Sequence, residues 1–122
     1  MSWNLCNTDK YDRSFKQYQK KHKDELQAVL ANLLDYKTAV DSGIDPLRVQ
    51  AGFIHPEPMG VVAIDQKRGG VRKKLKQTRL YLYPDKEKRE IWLITIGDKN
   101  TQKTDIQLAK EFVKAIRESE DG

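Results

Sequence analysis

The stretch between Gln66 and Arg79 carries Lys67, Arg68, Arg72, Lys73, Lys74, Lys76 and Arg79, and no acidic residue. Clustered cations of this kind attract a phosphate backbone and release its condensed counterions, so binding weakens steeply with salt. The same run also reads as a solvated loop that keeps a chain soluble, and the run alone does not choose between the two. Arg79 adds a second signal. It begins an alternation in which Arg79, Tyr81 and Tyr83 share one face of a strand and Leu80 and Leu82 share the other. A guanidinium grips a phosphate through two parallel hydrogen bonds, and a tyrosine ring can stack on an unpaired base. Taken alone, the tyrosines read better as an exposed strand face that covers its neighbours. Beside a cationic stretch, a nucleic-acid contact becomes the better reading.

Three further places could carry chemistry. Gly97, Asp98, Lys99 and Asn100 follow an apolar strand, and loops at sheet ends often bear functional side chains, here Lys99 and the nearby Lys103. The plainer reading is a turn, which Gly97, Asp98 and Asn100 all favour, with Asp98 paired to a lysine. His55, in His-Pro-Glu-Pro, can act as a general acid or base with Glu57 or simply hydrogen-bond a loop. His22 closes a helix, where a cationic imidazole is mildly favourable. The histidines stand far apart and Cys6 is the single cysteine, so neither a metal site nor a disulfide framework is expected. Serine and cysteine nucleophile signatures and phosphate-binding glycine motifs are absent as well.

The chain has 122 residues, and 23 Lys+Arg against 18 Asp+Glu leave a formal charge of +5. That length fits one domain over residues 1–122, large enough to bury a core. Hydrophobic residues make up 38%, low but adequate, and aromatic and β-branched residues are too plentiful for a disordered chain. The start, Met-Ser-Trp-Asn-Leu-Cys, lacks the pattern of a secretory signal. The apolar run over 91–96 is too short to span a bilayer. A cytoplasmic protein with no membrane partner is therefore expected.

Periodicity supplies the elements that must position these residues. Tyr11, Phe15, Tyr18 and His22 form one stripe of a helix over 9–22. A second helix over 24–41 buries Leu26, Val29, Leu30, Leu33, Leu34 and Val40, and Ser42-Gly43 ends it. The two nearly abut, which predicts an antiparallel hairpin. Residues 43–60, with Pro46, Pro56 and Pro58, read as irregular connection. Strands are expected over 61–64, 78–83 and 91–96, with a turn over 84–90, and a further short strand over 2–6. Thr104-Asp105-Ile106-Gln107 fits a capping box that opens a helix to about 119. The result is an α+β chain of order β-α-α-β-β-β-α, a small, mostly antiparallel sheet with helices on one face and the other face open for binding.

In the residues 77–83, Gln-Thr-Arg-Leu-Tyr-Leu-Tyr, and in Ile96-Gly97-Asp98-Lys99, the sequence resembles the RelE/ParE superfamily of bacterial toxins from type II toxin–antitoxin systems, in its RelE- and HigB-like branch. An arginine in the penultimate strand, a last strand ending in Ile-Gly before a basic residue, and a helical hairpin ahead of the sheet carry the likeness, which spans about residues 2–119. The resemblance implies an endoribonuclease that cuts mRNA on the ribosome without metal or other cofactor and is silenced by a cognate antitoxin. The RNA 2′-hydroxyl would attack the adjacent phosphate and leave a 2′,3′-cyclic phosphate. Arg79 matches the strand arginine, which stabilises the phosphorane-like charge, and Lys99 matches the basic position after the last strand. The lysines that RelE-type members place on the preceding strand have no match in Val61-Val62-Ala63-Ile64, so Lys67 or Lys76 would supply that charge. Asp105 and Ile106 stand where some members carry a tyrosine or histidine, which leaves His55, Tyr83 and Lys76 as candidate bases. RNA contacts are expected from Lys67, Arg68, Arg72, Lys73, Lys74, Tyr81 and Lys103, and an acidic antitoxin segment is expected to neutralise the basic stretch. A ParE-like gyrase inhibitor and a catalytically inactive nucleic-acid-binding member are the alternatives on the same scaffold.

Overall fold

A computed structural model describes residues 2–68 and 75–121. Arg72, Lys73 and Lys74 lie outside the described residues. Five strands form one sheet in the order β1-β5-β4-β3-β2: β1 (Asn4–Asn7), β2 (Ile54–Pro56), β3 (Val62–Asp65), β4 (Thr78–Asp85) and β5 (Glu90–Asp98). All neighbours are antiparallel except β1, which runs parallel to β5 along the edge. The helices are α1 (Asp9–Lys21), α2 (Lys23–Asp41) and α3 (Gln102–Asp121).

Strand alternation sorts the core into two layers. Val62 and Ile64 of β3, Leu80 and Leu82 of β4, and Ile91, Leu93 and Ile96 of β5 meet Tyr11, Tyr18, Leu26, Val29, Leu33, Tyr36 and Val40 of the helical pair. The opposite face presents Ala63, Tyr81 and Ile94, and these pack against Ala109 and Val113 of α3. The Trp92 and Phe112 rings meet at 5.6 Å on that side. Between Tyr81 and Leu82 the register slips, so that β4 is opposed by Thr95 and then by Leu93. This bulge sends the Thr95 hydroxyl to Ser14 of α1, 3.1 Å away.

Three expectations need correction. The second sheet face is not open, because the apolar stripe of α3 covers it. Tyr81 is fully buried there and presents no ring to an RNA base. A strand, β2, lies inside the stretch expected to be irregular. Its prolines hid it, yet an edge strand needs few ladder N–H groups and Pro56 can close it. The third correction concerns the start of the last helix. Asp98 accepts hydrogen bonds from the Asn100 and Thr101 amides and opens a short 3-10 turn, Lys99–Thr101, that leads into α3. The box at Thr104 does not form the cap, since Thr104 already lies inside the helix.

The helical hairpin follows the sequence except at Leu34, expected in the core but 58% exposed, while Tyr36 is buried instead. Thr8 caps α1 by accepting from the Tyr11 amide and donates its hydroxyl proton to the Ile94 carbonyl, 2.8 Å away, which ties the helix to β5. His22 alone separates α1 from α2. Gly43, at φ 109°, follows α2 in a conformation that only glycine adopts freely.

Gly97 on β5 has no room for a side chain, since a Cβ there would overlap the Asp105 carboxylate and the Thr101 hydroxyl. Gly97→Ala is therefore expected to cost about 1–3 kcal/mol of stability through overpacking, read as a lower urea midpoint. An unchanged midpoint would mean that the corner between β5 and α3 yields freely.

Candidate functional site

The side chains that converge lie on the α3 face of the sheet, at the end where β4 begins and β5 finishes. Cross-strand register lines them up. His55, Ala63 and Tyr81 form one row across β2, β3 and β4, and Asp65, Arg79 and Gly97 form the next across β3, β4 and β5. Arg79 is sheltered, its side chain 17% exposed, and its Nη1 stands 3.7 Å from Glu57 Oε2. That separation is too long for a hydrogen bond. Its Nε is buried with no partner among the described residues. A guanidinium this dry and this loosely paired retains unused donors, which is the condition for taking an anion.

His55 and Asp65 form the tightest contact of the group. Nε2 of His55 lies 2.6 Å from Oδ2 of Asp65, whose side chain is 3% exposed against 29% for the imidazole. The other carboxylate oxygen accepts from the Lys67 amide at 2.7 Å. The expected partner of His55 was Glu57, but β2 places Glu57 beside Arg79 and leaves Asp65 to the imidazole. Sequence reasoning missed Asp65. Its only signal was an acid ending an otherwise apolar, β-branched run.

At the same end of the sheet a cleft of about 300 Å³ runs between α1 and the start of α3. Ser14, Tyr18 and Asp105 are buried in it, and Lys10, Lys21 and Lys76 also line it. Burial pushes the Tyr18 hydroxyl up to about 12. Burial likewise raises the Asp105 carboxyl, against the Thr101 hydroxyl that donates to it. Tyr81 is raised too, by burial first and then by the charge of Asp105, while Arg79 works the other way. The Tyr81 hydroxyl has no hydrogen-bond partner among the described residues.

The remaining predicted residues disperse. Lys76 pairs with Asp98 at 2.9 Å, the lysine contact the turn reading anticipated, and its amide donates to Glu25. Arg68 turns to α2, donating to Asn32 at 2.9 Å and standing 3.7 Å from Asp35. Lys67, Lys99 and Lys103 are exposed. Tyr83 lies four residues along β4 from Arg79, about 13 Å at the usual rise, and packs near Gly60. Its hydroxyl makes no hydrogen bond among the described residues.

No family model matches the chain, and no curated protein matches its sequence. Among solved structures, a double arginine-to-alanine mutant of the Escherichia coli toxin RelE in the free state superposes with a TM-score of 0.51, covering 88% of this chain and 92% of that one at 16% identity. The fold is that of RelE. A RelBE2 toxin–antitoxin complex from Mycobacterium tuberculosis aligns over 81% of this chain and 100% of that chain, at 16% identity and a TM-score of 0.45. In this RelE fold Arg79 occupies the central strand, with β3 and β5 on either side.

Asp98 gives the site a measurable pH signature. The Lys76 ammonium, together with the Thr101 and Asn100 amides, holds its carboxyl below the usual carboxylate value. The folded state thus favours the charged form. Its contribution is complete above the ordinary value near 3.9 and fades as pH falls through the lower folded value. Asp98→Ala is expected to cost about 1 kcal/mol at neutral pH, and the gap to wild type should close below about pH 3 to 4. Urea titrations at several pH values check this, and a gap that widened towards acid would contradict it.

Proposed function

We propose that this chain is the toxin of a type II toxin–antitoxin pair, a cytoplasmic endoribonuclease that cleaves mRNA on the ribosome. The observation that carries the reading is Arg79. It stands on the central strand of a RelE-like sheet, sheltered from water, with a buried Nε unpartnered among the described residues and a carboxylate 3.7 Å from Nη1. Glu57 marks where an anion sits beside this guanidinium, and a phosphodiester would take that place with shorter, bidentate bonds.

RNA brings its own nucleophile, the 2′-hydroxyl, so the protein has to align the backbone and stabilise charge on the phosphorus oxygens. Arg79 fits the second task. Lys76, Lys99 and Lys103 stand at the same end of the sheet and, with Lys67, Arg68, Arg72, Lys73 and Lys74, supply the long-range attraction for the strand. Tyr81 serves from beneath, as a buried neighbour of Arg79 and not as a stacking platform. Lys76 fits less well as a base because it pairs with Asp98, and Tyr83 has no carboxylate partner to orient it among the described residues. The partner expected of such a toxin is an antitoxin whose acidic segment covers the basic stretch.

Expression of the chain without a partner should arrest growth and produce cleaved transcripts. Arg79→Ala should lower single-turnover cleavage on translating ribosomes by about 10²–10³-fold with an unchanged circular-dichroism spectrum. Arg79→Lys should recover little of this, because an ammonium cannot reproduce the two-pronged grip. Normal growth at verified expression, without cleavage, overturns the reading. Gyrase inhibition without RNA cleavage would place the chain with the alternative class.

A further inference from the structure

The contact between His55 and Asp65 adds to the Arg79 face a link that the strand ladder does not itself require. The β2–β3 ladder already joins these strands over three residue pairs, and the Asp65 amide donates to the Phe53 carbonyl at 2.9 Å. An aspartate at 3% exposure is costly to bury, and a hydrophobic residue at this position would extend the run Val61–Ile64 at no such cost. What the pair does provide is an oriented imidazole. Nε2 of His55 lies at hydrogen-bond distance from Asp65 Oδ2, an ionised carboxylate there can only accept, and its second oxygen accepts from the Lys67 amide, so the carboxylate is held in place. The other ring nitrogen, Nδ1, has no partner among the described residues, and the imidazole is 29% exposed. By register His55 and Arg79 lie two strands and two residues apart on one face, about 12 Å between Cα atoms at standard sheet spacings. An imidazole and a guanidinium can both reach one phosphodiester across that gap.

We propose that His55 is the general base for the RNA 2′-hydroxyl and that the buried Asp65 is the positioning residue that fixes its tautomer. This rests on the ribonuclease reading above and names the proton acceptor that the reading leaves open. In the step, the 2′-hydroxyl proton passes to Nδ1 of His55 as the 2′-oxygen bonds to phosphorus. The bond from phosphorus to the 5′-oxygen breaks, and that oxygen leaves with the electron pair and takes a proton from water. The imidazolium then returns its proton to the hydroxide so formed. The products are a 2′,3′-cyclic phosphate and a 5′-hydroxyl. The charged groups facing the imidazole are Asp65 on β3, Glu57 beyond β2 and Arg79 on β4. Asp65 stabilises the imidazolium as it forms, and Arg79 stabilises the phosphorane.

The test compares wild type, Arg79→Ala, His55→Gly and Asp65→Asn in single-turnover cleavage on translating ribosomes from pH 5.5 to 8.5. His55→Gly is expected to lose about 10²–10⁴-fold, to lose the acidic limb of the pH profile, and to regain cleavage with added imidazole. Asp65→Asn should lose a similar factor in kcat with KM unchanged, since an amide that donates to Nε2 would move the ring proton to Nδ1 and remove the base. A purely structural clasp would move stability without moving the pH profile or permitting rescue. Wild-type cleavage by a folded Asp65→Asn or His55→Gly variant overturns the assignment and leaves Arg79 standing. Absence of cleavage by the wild type removes the ribonuclease reading itself. Nitrogen-15 NMR of His55 in the unmodified chain gives an answer independent of any variant's folding: a neutral ring protonated on Nδ1 overturns the assignment, and one protonated on Nε2 supports it.

Discussion

A central strand covered on both faces has no solvent side on which to place a cation, and the arrangement around Arg79 follows from that constraint. Leu80 and Leu82 of β4 face the helical hairpin and Tyr81 lies under α3, all fully buried. The guanidinium at the second residue of this strand is 17% exposed and extends towards Glu57, just beyond β2. It stays sheltered on the way, so its charge must be met by neighbouring acids or by a ligand. Arginine suits this position because its guanidinium is more weakly hydrated than an ammonium and loses less on partial burial. The same shelter makes a bound phosphate oxygen feel its charge more strongly than it would in bulk water.

The neighbouring acids are arranged so that this charge is not fully cancelled. Glu57 stands 3.7 Å away, a distance that balances charge without consuming the donors. Asp65 is turned to His55 and to the Lys67 amide, although it is the cross-strand neighbour of Arg79. Burial shifts Asp105, packed over Gly97 in the same row, towards its neutral form. Each acid near the guanidinium is thus distant or engaged elsewhere, Asp65 by His55 and Asp105 by the Thr101 hydroxyl. Had the fold called for a purely structural cation, a short bidentate carboxylate pair would have been the stable solution.

The parts legible in the sequence are those set by periodicity over long windows. The helical pair, the hairpin of β4 and β5, the inward leucines at 80 and 82 and the apolar stripe of α3 all follow from local spacing. What that spacing cannot say is which sheet face a terminal helix covers. The stripe of Ile106, Ala109, Phe112, Val113 and Ile116 demanded a partner, and Tyr81 and Ile94 were the apolar surface left to serve. Reading Tyr81 with Arg79 as one exposed face overlooked that demand. Asp65 and β2 were hidden for a different reason. Three residues between prolines carry no usable alternation, and only pairing in space with β3 makes them a strand and brings His55 to Asp65.

The basic stretch gains direction from the described residues on its two sides. On the near side, the buried Asn32 of α2 donates to the carbonyls of Asp65 and Lys67, and its own oxygen accepts from Arg68. On the far side, the Lys76 amide is held by Glu25 of α2 and the Lys76 ammonium by Asp98, which also caps the turn into α3. Both anchors lie at the end of the sheet where β4 begins. Neither is a strong interaction alone, since Arg68, Asp35 and Lys76 are each more than a third exposed and pairs of that kind contribute little to stability. Their consequence is positional: Arg68 and Lys76, the described cations nearest each side of the stretch, are both tied to the end of the sheet where β4 begins. A chain with the same net charge spread evenly over its surface would lack this run of cations ending at Arg79.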